Sequence, residues 1–515
     1  MRFPRASGLL LHITSLPGPH GSGDLGPNAY HFVDWLVAAN QWLWQILPLG
    51  GAGPGNSPYM SSSAFAGNVM LIDLGELAQR GWLEPPEVHP DPRFDARNID
   101  FSAVVPYRMA RLAWAARRFF ASAAPALRAE FAAFCDRNAG WLDDYALFMT
   151  LSEQFPGRDW CDWDPALAFR RPQALRAARA RFGERVDFWR FCQWCFFSQF
   201  ARLRQYANQR NVKIVGDAPI FIAHHSAECW ARPDLFKLDA QGRPTVVAGV
   251  PPDYFSATGQ RWGNPLYRWE VHAREGFAWW IERVRRSFEL VDLLRIDHFR
   301  GFVASWEIPA EEPTAIHGKW VRAPGATLFS AIAAALGPLP IIAEDLGVIT
   351  PDVDRLRRDY QLPGMCILQF AWGEGGEQRF LPHNHSPDSV VYTGTHDNDT
   401  TLGWWNSAPE SDRHHLREYL GADGRMVNWT LIRVALASVA DSAVLPMQDV
   451  LDQGNEHRMN FPGKGEGMWV WRFRWSDVAP GLAAHLRHLS LMYQRNQPVA
   501  VAVPGVAASA RVIAD

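Results

Sequence analysis

The stretch Leu293-Leu294-Arg295-Ile296-Asp297-His298-Phe299-Arg300-Gly301 begins apolar, takes on charge at alternate positions and ends at a glycine. Because side chains alternate along a strand, Arg295 and Asp297 share one side, which we read as inward. Seven more short apolar runs end in polar or glycine residues, and most follow a longer helix-like stretch: Leu9 to Ser15, Trp42 to Leu49, Lys213 to Ile222, Ile341 to Leu346, Met365 to Phe370, Val390 to Thr395 and Ala443 to Val450. Runs of this length and composition are what strands of a parallel sheet, buried on both faces, look like. Eight of them alternating with helices predict an α/β fold, the (β/α)8 TIM barrel, whose catalytic groups sit at the C-terminal strand ends.

The runs are unevenly spaced. About 160 residues separate the second from the third, and about 70 the third from the fourth. These gaps predict large, mainly helical insertions on the catalytic face. The first covers about 51–205 and is rich in Ala, Arg and aromatic residues (Met109 to Phe134, Leu175 to Arg204); the second covers about 223–290 with a lid loop and a helix. Within the first, the arginines at 170, 171, 176, 179, 181 and 185 read as a solvated helix face. No repeat or low-complexity linker divides the chain. Its 515 residues therefore read as one elaborated catalytic barrel over 1–500 with a tail over 501–515, rather than the several domains that length alone suggests. After the eighth run only a helix, Leu482 to Gln497, and an Ala/Val tail follow, so no C-terminal β-domain is expected.

Composition narrows the function classes. With 48% hydrophobic and 20% charged residues the chain is ordinary globular material. No apolar run approaches the ~18 residues of a membrane span, so no membrane association is expected. Lys and Arg number 51 against 54 Asp and Glu, a net charge of −3 that offers no broad basic surface for nucleic acid. The six cysteines form no disulfide framework, which suits a reducing compartment, and Cys192 and Cys195 lie in an apolar helical stretch as buried thiols. The start, Met1-Arg2-Phe3-Pro4-Arg5, is not followed by a signal core, and the cytoplasm is the expected location. The outlying count is 24 Trp against 11 Tyr.

A charge at the end of an apolar run needs a reason, since burying one unpaired is costly. A guanidinium at Arg295 favours the ionised form of Asp297, which suits a nucleophile or a stabiliser of positive charge; a plain buried ion pair is the competing reading. The fifth run, Ile341-Ile342-Ala343-Glu344-Asp345-Leu346-Gly347, ends in two adjacent acids, of which alternation lets one enter the site. The seventh, Thr393-Gly394-Thr395-His396-Asp397-Asn398-Asp399, offers Asp397 with His396 as a donor. Three acids at one barrel mouth suggest acetal chemistry, in which one protonates a leaving oxygen and another attacks or steadies an oxocarbenium-like sugar. Acids at strand ends also hold Mg²⁺, but the spacing here matches no metal motif. Pro251 to Pro265, punctuated by Pro and Gly, reads as a loop covering something flat, or else as a loop pinned to the core. Trp and Tyr beside Asn and Asp suit the C–H faces and hydroxyl edges of sugars.

Leu293 to Gly301, Ala343 to Gly347, Tyr392 to Thr400, Val250 to Phe255 and Ser57-Pro58-Tyr59 together resemble the 4-α-glucanotransferases, the amylomaltases or disproportionating enzymes related to the α-amylase clan. The resemblance runs from about Gly8 to Gly463. It implies a retaining transferase that moves α-1,4-glucan segments from a donor malto-oligosaccharide to an acceptor 4-hydroxyl, with no metal or organic cofactor. It makes Asp297 the nucleophile, Glu344 the general acid/base and Asp397 the third acid, gripping donor hydroxyls and favouring ring distortion. It makes Arg295 and His396 donor-site ligands, Tyr59 a stacking partner of the donor sugar and Asp217 its hydrogen-bond partner. Trp262 and Asn264 belong to the lid loop, and Ser57, Asp253, His298 and Asn460 complete the substrate-binding set, while Asp345 is structural. The chain departs from the family pattern at Asn56, where an acid is expected, at Ile13, where proline is usual, and at Lys464, where threonine is more usual. These bear on acceptor or chain-length preference, not on the three acids. An amylase-like hydrolase and an inactive glucan-binding protein are the alternatives, the latter requiring loss of an acid. Trp262 is then a candidate glucan contact, whereas Trp42, Trp44, Trp189, Trp194, Trp279 and Trp280 read as packing.

Overall fold

The computed structural model describes residues 5–252 and 256–498. Each of the eight runs holds a strand: β1 (Ala6–Leu10), β2 (Leu43–Gln45), β3 (Lys213–Pro219), β4 (Leu293–Asp297), β5 (Ile341–Ala343), β6 (Gly364–Ile367), β7 (Ser389–Tyr392) and β8 (Ser442–Pro446). They pair in parallel in the order β6-β7-β8-β1-β2-β3-β4-β5. The two edges meet where the Ala343 N–H donates to the Pro363 carbonyl at 2.9 Å and the Met365 N–H to the Asp345 carboxylate at 2.8 Å. This is the (β/α)8 barrel that the alternation predicts. Several apolar runs outlast their strands because the residues beyond the last ladder bond stay buried, as Ile220, Phe221 and Phe299 do. At Gly8 the first two strands approach so closely that a Cβ would lie 2.1 Å from the Leu43 carbonyl, which leaves room for glycine alone.

Between β2 and β3 run the long helices α1 (Phe101–Ser122), α2 (Pro125–Gln154) and α3 (Gly183–Gln209). Their shared interior is aromatic: Trp82 sits 5.1 Å from Phe119, 5.6 Å from Phe191 and 5.8 Å from Trp194, centroid to centroid. Cys192 and Cys195, both free, face this core on α3, and burial pushes their thiols well up. Trp44, Trp189, Trp194 and Trp280 are buried and Trp42 and Trp279 pack against the core. Arg170 and Arg185 pair with Asp144 and Glu153 at the helix surface.

A second sheet lies outside the sequence reading. Four antiparallel strands, in the order Gln260–Pro265, Val246–Val250, Ala304–Pro309, Lys319–Arg322, stand between β3 and β5 in the chain. The segment from Pro251 to Pro265 thus ends in a strand rather than remaining loop throughout. Gly259 and Gly263, both at positive φ, make its turn and bend, so the residues that signal a loop in sequence here shape a hairpin with a register shift between Val247 and Gly249.

After β8 a helix spans Leu482–Met492, shorter than the expected Leu482 to Gln497 because Gln494 takes a left-handed φ of 57°. Fully buried Arg495 then donates to the carbonyls of Ala6, Ala435, Leu436, Ser438, Ala440 and Asp441, tying this end of the described chain to β1 and to the segment that leads into β8. Residues 501–515 lie outside the described residues. Among the described residues, no helix is long and apolar enough to cross a membrane.

Candidate active site

Register assembles the first cluster. β3 and β4 pair with Asp217 beside Arg295 and Pro219 beside Asp297. Arg295 Nη1 donates to both Asp217 oxygens at 2.8 and 2.7 Å, and its Nη2 donates to Asp297 Oδ1 at 2.9 Å. The Asp217 side chain is wholly buried and that of Asp297 is 28% exposed, so the buried acid anchors the guanidinium while the other faces the cleft. Burial pushes the Asp217 carboxyl up, against the pull of Arg295. Tyr59 donates its hydroxyl to Asp217 Oδ2 at 2.7 Å and lies 2.8 Å from His396 Nε2, the two rings stacked at 5.3 Å. With the Tyr59 O–H committed to Asp217, His396 donates from Nε2 to the Tyr59 oxygen, and its buried Nδ1 has no partner among the described residues.

Glu344 is set by the turn that ends β4. His298 adopts a left-handed φ of 53°, at a cost on the order of 1 kcal/mol for a non-glycine residue. That turn aims its N–H at Glu344 Oε2 (2.6 Å), and the Leu346 N–H meets Oε1 at 2.7 Å. Burial first and the Asp297 charge second raise this carboxyl to about 8, with Arg295 and the two N–H groups opposing. Adjacent Asp345 points elsewhere, to the Met365 N–H and to Arg357 at 3.5 Å. One of the two neighbouring acids enters the site, as alternation requires.

Asp397, with 42% of its side chain exposed, accepts from Asn460 Nδ2 at 2.6 Å and lies 3.4 Å from His396 Nε2. Arg458 donates to the Asp397 carbonyl and to the Asn460 carbonyl, each at 2.6 Å, so the loops after β7 and β8 are tied together beneath the acid. On the Glu344 side the His298 ring stands edge-on to Trp262 at 4.8 Å, and burial lowers its imidazole to about 4, leaving it neutral at pH 7.

The structure brings Asp297, Glu344, Asp397, Asp217, Arg295, Tyr59, His396 and Asn460 into one neighbourhood, with His298 and Trp262 as a wall beside Glu344. Two other residues do backbone work: Ser57 Oγ accepts from the Tyr59 N–H at 3.3 Å, capping the turn that presents Tyr59, and Asn264 Nδ2 donates to the Ile222 carbonyl at 3.0 Å. Asp253 lies outside the described residues. Among those described, no group of three or more His, Cys, Asp or Glu is arranged to hold a metal ion.

The profile described as 4-alpha-glucanotransferase, family 77 of the glycoside hydrolases, matches residues 11–478. The chain belongs to the 4-α-glucanotransferase family. The 4-alpha-glucanotransferase of Thermus thermophilus is 50% identical over 503 residues, covering 96% of this chain and 100% of the relative. The chloroplastic/amyloplastic 4-alpha-glucanotransferase of Solanum tuberosum is 42% identical, covering 94% and 85%. The amylomaltase of Streptococcus agalactiae, solved in complex with acarbose, superimposes with a TM-score of 0.92 at 37% identity, covering 96% of this chain and 100% of that one.

In this glucanotransferase-family chain three residues of the site neighbourhood escaped the sequence reading. His12 accepts from the Leu47 N–H at 3.3 Å, and burial with the nearby His396 lowers it to about 3. It lies inside the run Leu9 to Ser15, two residues past the end of β1, so a search for charge at the ends of the apolar runs passes it by. Trp469 lies 5.8 Å from Tyr59 and 5.9 Å from His396, and Arg458 backs Asp397, but both sit on a return loop with no periodicity to mark them. Of the departures from the family pattern, Asn56 sits at a left-handed φ of 63°, Ile13 is buried and Lys464 is exposed on the loop after Asn460.

Proposed function

We infer that glucan transfer runs in this chain by double displacement. The Asp297 carboxylate attacks C1 of the donor sugar while protonated Glu344 gives its proton to the departing glycosidic oxygen. The leaving glucan departs as a free 4-hydroxyl, and a glucosyl ester remains on Asp297. An acceptor 4-hydroxyl then gives its proton to the Glu344 carboxylate and attacks C1, releasing Asp297. Two inversions restore the α-configuration. Asp397, with Asn460 behind it, grips donor hydroxyls, and the Tyr59–Asp217–His396 group lines the donor side. The observation that carries this reading is the contrast between two neighbouring carboxyls: Asp297 is charge-balanced by Arg295, whereas Glu344 is held at about 8 and so keeps its proton at neutral pH.

Transfer in place of hydrolysis needs water kept away and an acceptor hydroxyl in place. Trp262 against His298 beside Glu344 supplies an apolar wall where the acceptor enters. Incubation with maltotriose tests the whole reading. Longer and shorter chains at a constant count of reducing ends support transfer; net growth in reducing ends without longer products would assign a hydrolase instead. For the compartment we propose the cytoplasm, on the strength of six free thiols. A fluorescent fusion found in an oxidising compartment would refute it.

A further inference from the structure

Just beyond Asp297 in the chain lies a feature that the reaction as described does not use. Arg300 follows Asp297 by three residues and is 8% exposed, yet among the described residues it has no carboxylate within ion-pair distance and its buried Nε has no hydrogen-bond partner. Its Nη1 donates to the carbonyl of Val348, four residues beyond Glu344. What its guanidinium does cover is one face of Trp320, at 3.7 Å from the ring centroid. Trp306 packs edge-on to the same ring at 5.3 Å and is itself fixed by an Nε1 bond to the Ala315 carbonyl at 2.9 Å. Trp320 is nonetheless 37% exposed, on the edge strand of the small sheet. A large ring clamped from one face and one edge, its remaining surface in solvent, is a preorganised platform.

Its connections select the occupant. Trp320 pairs with Trp306, Trp306 with Gly249 and Gly249 with Arg261, next to the Trp262 that stands against His298, while Arg300 bonds the carbonyl of Val348, four residues beyond Glu344; both routes join the Trp320 patch to the Glu344 side of the site. Resting on the transferase reading above, in which the group leaving at Glu344 is replaced there by the acceptor, we propose that Trp320 is a remote acceptor subsite, stacking on a glucose unit several residues from the reacting 4-hydroxyl. An α-1,4-glucan offers the flat C–H faces that such a ring binds. Glucose alone is too short to reach it.

The test compares initial transfer rates from maltotriose to reducing-end-labelled glucose and to labelled maltohexaose. In wild type the longer acceptor is expected to have the higher kcat/KM. In Trp320→Ala the maltohexaose-to-glucose ratio of kcat/KM is expected to fall about five- to tenfold, carried by KM, and Trp320→Phe is expected to restore most of it. A ratio within twofold of wild type in Trp320→Ala, whether both acceptors lose or neither does, overturns the subsite, as does a wild type with no preference for the longer acceptor. Wild-type protein that transfers to neither acceptor would instead overturn the transferase reading itself.

Discussion

Asp297 and Glu344 are both carboxylic acids at barrel strand ends, and what separates the roles proposed for them is their company. Arg295 sits 2.9 Å from the first, while the second is buried with only two backbone donors. Replacing Asp297 by Asn is expected to lower turnover by at least about a thousandfold while glucan binding persists, because the amide cannot attack C1; retained turnover would overturn the nucleophile assignment. In the proposed mechanism Glu344 is the acid and must be protonated, so kcat/KM is expected to decline as pH rises through about 8. The sign for stability is the same: a carboxyl raised from 4.5 to about 8 in the folded state holds protons the unfolded chain has released. Stability is therefore present below 4.5 and lost as pH rises to about 8. Glu344→Gln is expected to melt like wild type near pH 5 but at a higher temperature than wild type at pH 9, read by calorimetry. A melting difference that ignored pH would remove the buried-acid account.

At the scale of elements, the small sheet and the last described helix do different work. The strand Gln260–Pro265 carries Trp262 against His298. Trp262→Ala opens that wall to water, and the hydrolysis share of maltotriose turnover is expected to rise several-fold while total donor consumption falls less; reducing-end counts set against chain-length profiles measure the split. Arg495 shapes the other end of the barrel. Replacing it by Leu strips donors from six buried carbonyls and is expected to cost about 3–5 kcal/mol. The loss would appear as a lower Tm with the pH profile of the surviving activity unchanged, since Arg495 binds carbonyls at the start of β1 and just before β8, whereas the acids lie at or beyond the ends of their strands. The eight barrel strands were legible because each is a buried run bounded by turns. The strands Val246–Val250, Gln260–Pro265, Ala304–Pro309 and Lys319–Arg322 were not, since they carry Pro, Gly and charge on a half-exposed sheet and leave no clean alternation.

For the whole molecule, the excess of Trp is chiefly a matter of packing. A barrel with a long helical insertion needs large apolar side chains between layers, and the ring cluster of Trp82, Phe119, Phe191 and Trp194 fills one such layer. Since the proposed chemistry uses only carboxylates, dialysis against EDTA is expected to leave transfer unchanged; loss restored by a divalent ion would require a different mechanism. What the sequence by itself determined was the eight-strand alternation, the three acids and the pairing of Arg295 with Asp297, because these follow from local periodicity and from spacing within one segment. Only the tertiary structure decided that Asp217 anchors Arg295, that a left-handed His298 aims its N–H at Glu344, that Arg458 and Trp469 return from after β8 to support Asp397 and Tyr59, and that Trp320 is held by Arg300. Each of these depends on strand register or on the return path of a loop, and neither is written in the residues that flank the contact.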